Sequence, residues 1–305
     1  MITAAWLFCA LLLDAIFGEP KWLWGRFSHP AVLMGRAIDA LDRAFNKGEQ
    51  RRLKGLMVLA FLVLSAWALG KLVGLLPFAN LITIAIAAML LAQKSLVTHV
   101  RAVALALRLS LNDGRLAVSM IVGRDISSLD EAGVARGAIE SAAENLSDGV
   151  IAPAFWFLLG GLPGILIYKI TNTADSMIGH RTPRHEEFGW ATARFDDLLN
   201  LIPARLCALL IALSAARLDA FAPILRDAPL HRSPNAGWPE AAMAVVLNLR
   251  LSGPRSYNGQ TQDFPYLYPE GANHADASAI ETATQVLWRS WALVLGADIG
   301  RASCR

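Results

Sequence analysis

The sequence predicts an all-α, polytopic integral membrane protein with about four to six membrane-embedded helices, one of which is a candidate re-entrant segment, and further amphipathic cytoplasmic helices. Hydrophobic residues make up 55% of the 305-residue chain and charged residues only 17%. Soluble domains carry about 25% charged residues, so the composition favours a membrane location. Mean hydropathy is positive at +0.42, and long apolar runs rich in Leu and Ala recur, which favours helices over strands.

The first apolar run, MITAAWLFCALLLDAIFGEP, lacks a basic start and a small-residue cleavage site, and it carries Asp14. We therefore expect a retained N-terminal helix rather than a signal peptide. Five strong apolar stretches follow, at 56–76, 78–92, 150–170, 198–216 and 286–297. A membrane-spanning helix needs roughly 20 residues, and the first two stretches are expected to span the membrane as a hairpin around Pro77.

The third stretch is interrupted near its midpoint by Gly160-Gly-Leu-Pro-Gly164. Gly and Pro at this density rarely continue a helix, so 150–170 either crosses once or dips into the membrane and returns. We favour the re-entrant interpretation, because irregular backbone is tolerated at depth where it lines a protein cavity. Segments 18–55 and 93–149 hold eight and six Lys or Arg residues, which predicts a cytoplasmic location for both.

The polar segments predict helices as well. Residues 94–111 form an amphipathic helix with Arg101 and Arg108 on one face, and Ser128-Leu-Asp-Glu131 resembles a capping box. The Pro-, Gly- and Asn-rich residues 217–275 predict an ordered polar lobe with short helices. The whole chain, 1–305, is expected to form a single membrane domain. Three dispersed cysteines indicate neither a disulfide framework nor a cysteine metal site.

Residues 124–150 carry Glu140, Glu144 and Asp148 at i, i+4 spacings, so three acids share one helical face beside an apolar segment. Such a face is a candidate for metal or substrate chemistry at the bilayer surface. The alternative is a solvated face on which Arg136 pairs with Glu140. That pair leaves Glu144 and Asp148 without a cation one turn away.

Residues 171–200 concentrate acids and bases after an apolar segment: Asp175, His180, Arg181, Arg184, Arg194, Asp196 and Asp197. Arginines mixed with acids suit a polyphosphate held partly through magnesium. A juxtamembrane loop that only anchors to headgroups would explain the arginines but not the acids.

Two further stretches are candidates. In HRSPNAGWPEAAMA, residues 231–244, Arg232 and Asn235 are able to hold an anion or an amide, although the stretch also resembles an ordinary helix start. Asp14 lies in an apolar helix, where an ionisable residue is a functional candidate by default. The sequence contains no GxxxxGK[ST], strand-flanked GxGxxG or HExxH motif.

Four blocks in order resemble the CobD/CbiB family of membrane-bound cobalamin-biosynthesis enzymes. They are LDAIFGEP with HPAVLMGRAI, GRDISSLDEAGVARGAIESAAENLSDGVIAPAFW, YKITNTADSMIGHRTPRHEEFGWATARFDDLLNLIPARL, and HRSPNAGWPEAAMA followed by LSGPRSYNG. The resemblance spans nearly the whole chain. One departure is Glu19, where the family more often has Asp.

The resemblance implies ATP-dependent amide ligation, which attaches aminopropanol or its O-phosphate to a propionate carboxyl of adenosylcobyric acid, with Mg²⁺ and ATP required. It also implies a bacterial inner-membrane location with a cytoplasmic active face. Mapped onto this chain as a hypothesis, the metal ligands are Glu144, Asp148 and Asp175. The substrate- and phosphate-binding residues are Arg124, Asp125, Arg181, Arg232 and Asn235. Glu140 or His180 would accept the proton of the amine.

Two other functions compete with this interpretation. A magnesium-dependent membrane prenyl- or alcohol-phosphate transferase would also use paired acids at the membrane face, but Asp148-Gly149 is not followed by the usual pattern of those enzymes. A non-catalytic membrane signalling protein of the AmpE type shares a distant likeness with the family. For such a protein the polar motif residues would be dispensable in any ligase assay.

Overall fold

The fold is known from a computed structural model, which describes residues 2–123, 125–257 and 260–303. Within these ranges, four helical runs are long and apolar enough to cross a membrane: Arg51–Val73, Ala79–Leu109, Glu131–Ile178 and Trp190–Ser214. The predicted all-α, polytopic membrane fold is confirmed.

The described residues form helices α1 Ile2–Phe17, α2 Lys21–Trp24, α3 Pro30–Phe45, α4 Arg51–Val73, α5 Ala79–Leu90, α6 Gln93–Leu109, α7 Leu111–Ser119, α8 Glu131–Leu146, α9 Ala152–Ile178, α10 Trp190–Ser214, α11 Phe221–Asp227, α12 Gly237–Leu247 and α13 Ala277–Ser303. A π-helical turn covers Ser147–Ile151, and 3-10 turns cover Leu218–Ala220 and Ala228–Leu230. The strands are β1 Leu251–Ser252, β2 Arg255–Tyr257, β3 Gln260–Gln262 and β4 Tyr266–Leu267.

The chain divides into two compact units whose segments alternate along the sequence. The first unit comprises residues 1–92, 152–201 and 298–305, and the second comprises 93–151 and 202–297. Because units interleaved in this way can belong to one domain, the single-domain prediction for 1–305 stays a prediction.

In the first unit, α4 and α5 follow each other with Pro77 in the connecting turn, as expected, but α4 packs mainly against α9 and α5 mainly against α1. The two helices differ in length, however. α4 has 23 residues, whereas α5 has only 12 and ends where Leu91 becomes extended. At 1.5 Å per residue α5 is about 18 Å long, too short to cross alone. The stretch 78–92 is thus the first part of the longer run Ala79–Leu109, which as a whole is long and apolar enough to cross a membrane.

The break predicted in the third apolar stretch lies at Gly161, whose backbone angles of φ 59° and ψ −148° are non-helical. The chain reverses there. A side chain at Gly164 would overlap the carbonyl oxygen of Trp156, and Tyr168 packs in one buried cluster with Ala152. In a straight helix Ala152 and Tyr168 would lie about 24 Å apart. α9 is therefore a helical hairpin, as the re-entrant interpretation requires.

Helix α4 contacts both the tip of this hairpin and the segment that follows its second arm. Near its start, Gly55 lies against the backbone of Phe188, so closely that a side chain would overlap the Phe188 carbonyl. Near its end, a Cβ at Gly70 would lie 2.7 Å from the backbone of Pro163 at the hairpin tip. The helix rises about 22 Å between the two glycines. The tip thus lies most of a hydrocarbon thickness away from Phe188.

In the second unit, α8 is the central helix. Twelve of its 16 residues are buried, most of them Ala or Gly, and they pack in one core with α6, α11, α12 and α13. Small side chains let neighbouring helices approach closely. The alternative of a solvated helix face is therefore wrong for Glu140, which is buried, whereas Glu144 is exposed.

Local details of the second unit differ from expectation. The N-cap of α8 is Asp130, whose carboxylate accepts the Gly133 N–H at 2.7 Å, so the capping box proposed at Ser128 is wrong. The polar lobe contains the expected short helices but also two small antiparallel strand pairs, β1 with β4 and β2 with β3. Strands of two or three residues carry too little periodic pattern to be recognised in the sequence.

Candidate functional site

A buried network of charged residues in the second unit begins at Glu140. This side chain, on the central helix α8, accepts the Ser252 N–H at 2.7 Å with one carboxylate oxygen. The other oxygen lies 3.2 Å from the guanidinium of Arg255. Both donors come from the short strands β1 and β2. The predicted alternative pair is wrong, since Arg136 instead donates to the carbonyl of Asn273 at 3.3 Å.

The bend between β1 and β2 places both donors. Ser252 has φ 61° and Gly253 has φ 82°, so two consecutive residues adopt the left-handed conformation. That conformation costs free energy at a non-glycine residue and is often found at functional sites. At Gly253 a side chain would overlap the ring of Tyr266. The strained bend turns Ser252 and Arg255 towards the same carboxylate.

Arg255 also connects Glu140 with a second buried acid. Its guanidinium lies 3.5 Å from Glu240, in the first turn of α12, and the side chains of Glu240 and Arg255 are only 3% and 10% exposed. The remaining carboxylate oxygen of Glu240 lies 3.6 Å from Nε2 of His231. Gly237 permits this approach, because a Cβ there would lie 2.6 Å from the His231 side chain.

His231 is held in one orientation and one charge state. Its Nδ1 accepts the Ser233 N–H at 3.1 Å, so in the neutral ring the proton is on Nε2, facing Glu240. Burial lowers the pKa of His231 to about 4, and the charge of Arg255 contributes to this lowering. The imidazole is therefore neutral near pH 7. Perturbed groups of this kind concentrate at functional sites.

Several predicted residues lie around this network. Asp125 is fixed to β2, because its N–H donates to the Ser256 carbonyl and its carboxylate accepts the Ser256 hydroxyl, both at 3.1 Å. Asn235 is buried, and Arg232 lies near His231 with its guanidinium 5.6 Å from the Phe264 ring centre. Arg124 lies outside the described residues.

The other two acids of α8 and its continuation have different surroundings from Glu140. Glu144 is exposed, and Asp148 is half-buried. Asp148 belongs to the π-helical turn, a feature that is frequent at functional sites, and it interacts electrostatically with the buried Cys207. The face expected to carry three equivalent acids is thus divided between a buried ion network and a more accessible pair.

A second polar cluster lies in the first unit, where α9 and α10 present Asp175, Asp196 and Asp197. Asp196 is buried and accepts a hydrogen bond from Asn200 at 3.0 Å. Asn200 in turn accepts the Tyr168 hydroxyl at 3.0 Å. Asp175 interacts electrostatically with Asp197 and with Asp196. The sequence alone did not single out Tyr168 or Asn200.

Basic residues lie next to these acids. Arg194 is 3.4 Å from Asp197, and Arg181 also acts on Asp197 electrostatically. His180, predicted as a catalytic residue, is exposed and interacts electrostatically with Asp175. The first unit therefore brings Asp175, His180 and Arg181 close to Asp196 and Asp197, all of them members of the cluster that the sequence indicated.

The predicted metal ligands are distributed over both units, Asp175 in the first and Glu144 with Asp148 in the second. Among the residues that the structure describes, no group of three or more His, Cys, Asp or Glu side chains is arranged to hold a metal ion. Mg²⁺ at a phosphate site commonly takes only one or two protein carboxylates and completes its shell with phosphate and water. The ligand set therefore stays a prediction.

The residues missed by sequence reasoning are Ser252, Arg255, Glu240 and His231. All four lie within the fourth motif block, HRSPNAGWPEAAMA and LSGPRSYNG. The signal was thus present in the sequence, although nothing in it indicated that these residues meet at Glu140.

Comparison with known proteins gives a match along nearly the whole chain. The family model described as CobD/Cbib protein matches residues 7–287. The chain is 48% identical over 299 residues to the cobalamin biosynthesis protein CobD of Rhizobium meliloti (strain 1021), covering 92% of this chain and 91% of the relative. It is 50% identical over 271 residues to the protein of that name from Rhodobacter capsulatus, covering 87% of this chain and 86% of the relative. No solved structure matches.

Proposed function

The chain belongs to the CobD/CbiB family, and from this membership we propose that it acts in cobalamin biosynthesis as an ATP-dependent amide ligase. It joins aminopropanol, or its O-phosphate, to a propionate carboxyl of adenosylcobyric acid. The near-complete coverage and the identities of 48% and 50% to relatives named cobalamin biosynthesis protein CobD support the pathway. The reaction class rests on the family resemblance and on the chemistry of the site.

The observation that carries the proposal is the buried network of Glu140, Arg255, Glu240 and His231. Burying charged groups costs free energy, and a buried ion pair contributes little net stability in return. A structural role alone therefore does not explain this network. A role in amide ligation would explain the network, because the substrates of that reaction bring a carboxylate, phosphates and an ammonium group to one place. Arg255 is suited to orient an anion, and Glu240 is suited to attract the ammonium.

The chemistry defines what the protein must supply. A carboxylate is a poor acyl donor until phosphorylation creates a leaving group. The amine nitrogen attacks the carbonyl only after losing a proton, so a base must lie within reach of it. In this proposal Glu140 is a positioning residue, because Ser252 and Arg255 already occupy both of its oxygens. His180 remains the candidate proton acceptor, since it is exposed beside Asp175.

We assign phosphate binding to three basic residues of the sequence motifs, Arg124, Arg181 and Arg232, of which Arg124 lies outside the described residues. Mg²⁺, when bound, would shield phosphate oxygens and stabilise the charge that develops on them. We propose Asp175 of the first unit, and Glu144 with Asp148 of the second, as carboxylates able to ligate it. Asp197, which interacts electrostatically with Asp175, is an additional candidate. We propose that the active face lies on the cytoplasmic side of the bacterial inner membrane, where ATP is available.

The test is ligation by the purified, detergent-solubilised chain supplied with adenosylcobyric acid, ATP, Mg²⁺ and either aminopropanol or its phosphate. We expect a corrinoid product whose mass corresponds to one new amide bond. Arg255→Gln and Glu240→Gln should lower the rate by at least about a hundredfold. Glu131→Gln, exposed in the first turn of α8, is the matched control. Absence of product from the wild-type chain, while the Rhizobium meliloti relative yields it, would contradict the proposal.

A further inference from the structure

A compact loop between α9 and α10, residues 179–189, carries the exposed His180 and Arg181. Its two ends touch, because a side chain at Gly189 would overlap the carbonyl of Ile178. Within it, the Thr182 carbonyl accepts the N–H groups of His185 at 3.0 Å and Glu186 at 2.8 Å. Loops of this length with closed ends are frequently functional. This one is folded by its own turns.

The side chain of Asp42, near the end of α3, holds this loop in place. It is buried, and it accepts two hydrogen bonds from Arg184, at 2.5 Å and 3.2 Å. His185 approaches its other oxygen at 3.4 Å. Although burial raises the pKa of Asp42, hydrogen bonds from Arg184 and Asn46 outweigh it and bring the pKa below its ordinary value. The carboxylate is therefore ionised at neutral pH.

Other contacts from α3 and α4 reach the same part of the loop. Asn46 donates to the Arg184 carbonyl at 3.0 Å. Arg51 binds Glu187 at 3.1 Å and the Pro183 carbonyl at 3.4 Å. All of these contacts engage residues 183–187. They leave His180 and Arg181 at the surface, next to Asp175 and Asp197.

We propose that Asp42 is a positioning residue, which fixes the 179–189 loop so that His180 and Arg181 hold the anionic part of the substrate over the acids of α9 and α10. The proposal rests on the proposed function for the identity of that substrate. Asp42 itself need not touch it. Fixing the loop before binding lowers the free-energy cost of ordering two flexible side chains.

The test compares Asp42→Asn with Asp39→Asn in the full chain. Asp39 lies on the same helix and pairs with Arg43 at the surface, with side chains 43% and 71% exposed, so it is a matched control. The first measurement is limited trypsin cleavage after Arg181 and Arg184. Because cleavage follows the population of opened loop, we expect about a tenfold faster rate in Asp42→Asn and no change in Asp39→Asn. Loss of hydrogen bonds to a charged carboxylate changes an opening equilibrium by at least about this factor.

The second measurement is the ligation kinetics of the same variants. We expect KM for the phosphorylated substrate to rise about tenfold in Asp42→Asn with kcat changed less than threefold. If Asp42→Asn does not insert into the membrane, it is replaced by Arg51→Gln, which releases the second contact. We then expect smaller increases in both the cleavage rate and KM.

The outcomes separate the two proposals. Unchanged cleavage in Asp42→Asn overturns the role of Asp42 in holding the loop. Faster cleavage with an unchanged KM overturns the role of the loop in holding substrate. A wild-type chain that makes no product contradicts the ligase proposal, while the cleavage contrast still decides whether Asp42 fixes the loop.

Discussion

Glu140 and Arg255 form an ion pair at 3.2 Å in which the two side chains are only 7% and 10% exposed. Glu140 lies on the central helix of its unit and Arg255 on a three-residue strand. The pair therefore ties the lobe that follows α12 to the core of the unit. It connects the stability of the fold to the proposed site.

Removing one partner of a buried ion pair leaves an uncompensated charge, which costs about 3–5 kcal/mol. We expect Glu140→Gln to lose about 3 kcal/mol of stability, slightly reduced if the amide oxygen still accepts the Ser252 N–H. Melting of the detergent-solubilised protein followed by circular dichroism should show a clear drop. Glu144→Gln, one turn further along the same helix and exposed, should melt like the wild type.

These two variants also separate structure from chemistry. In our proposal Glu144 is a metal ligand, so Glu144→Gln should lose ligation while its melting temperature is unchanged. Raising the Mg²⁺ concentration should restore part of the rate. Wild-type turnover by Glu144→Gln would remove this residue from the proposed metal site.

The buried His231 predicts a pH dependence of stability. Its pKa is about 4 in the folded chain against an ordinary 6.5, so the unfolded chain binds more protons between these values. The stability that this residue contributes is complete above pH 6.5 and is lost as the pH falls towards 4. A shift of this size corresponds to a few kcal/mol at most.

The measurement is the melting temperature at about pH 7.5 and about pH 5, on either side of the ordinary histidine pKa, for the wild type and for His231→Gln. We expect the wild type to lose more stability on acidification than the variant does, because the variant cannot take up this proton. Equal losses in the two proteins would show that His231 is not held in its neutral form.

The sequence contained enough information for some of these features and not for others. The hairpin in α9 could be predicted, because Gly160-Gly-Leu-Pro-Gly164 interrupts an apolar run locally. The cluster of Asp175, His180 and Arg181 was also predicted, since these residues are neighbours in sequence.

The network around Glu140 could not be predicted in the same way. Helical periodicity gave the position of Glu140 but not its partner, because Arg255 belongs to an irregular segment whose path depends on left-handed residues at 252 and 253. The same reasoning explains Asp42, which sequence analysis did not select. Its partners Arg184 and His185 reach it only through the folded loop.

The helical hairpin makes a prediction about two adjacent glycines. Gly161 has φ 59° and ψ −148°, a conformation that is essentially restricted to glycine. At Gly160 nothing lies within 4 Å of an added Cβ. We therefore expect Gly161→Ala to cost about 1–3 kcal/mol and Gly160→Ala to be tolerated. Melting temperatures of the two variants, measured side by side, check this; equal values would contradict a reversal at Gly161.

The contacts of α4 predict the topology of the first unit. Phe188 lies beside Gly55 and the hairpin tip lies beside Gly70, about 22 Å further along the helix. Leu76 follows the end of α4, so it and Thr182 of the 179–189 loop belong to opposite ends of the helix. The test uses a variant without native cysteines. In it we expect Thr182→Cys to react with a membrane-impermeant maleimide only in inside-out vesicles. We expect Leu76→Cys to react only in intact spheroplasts. The hairpin would then enter and leave from the cytoplasmic side. Labelling of both positions from one side would overturn the membrane-spanning assignment of α4 and, with it, the re-entrant interpretation.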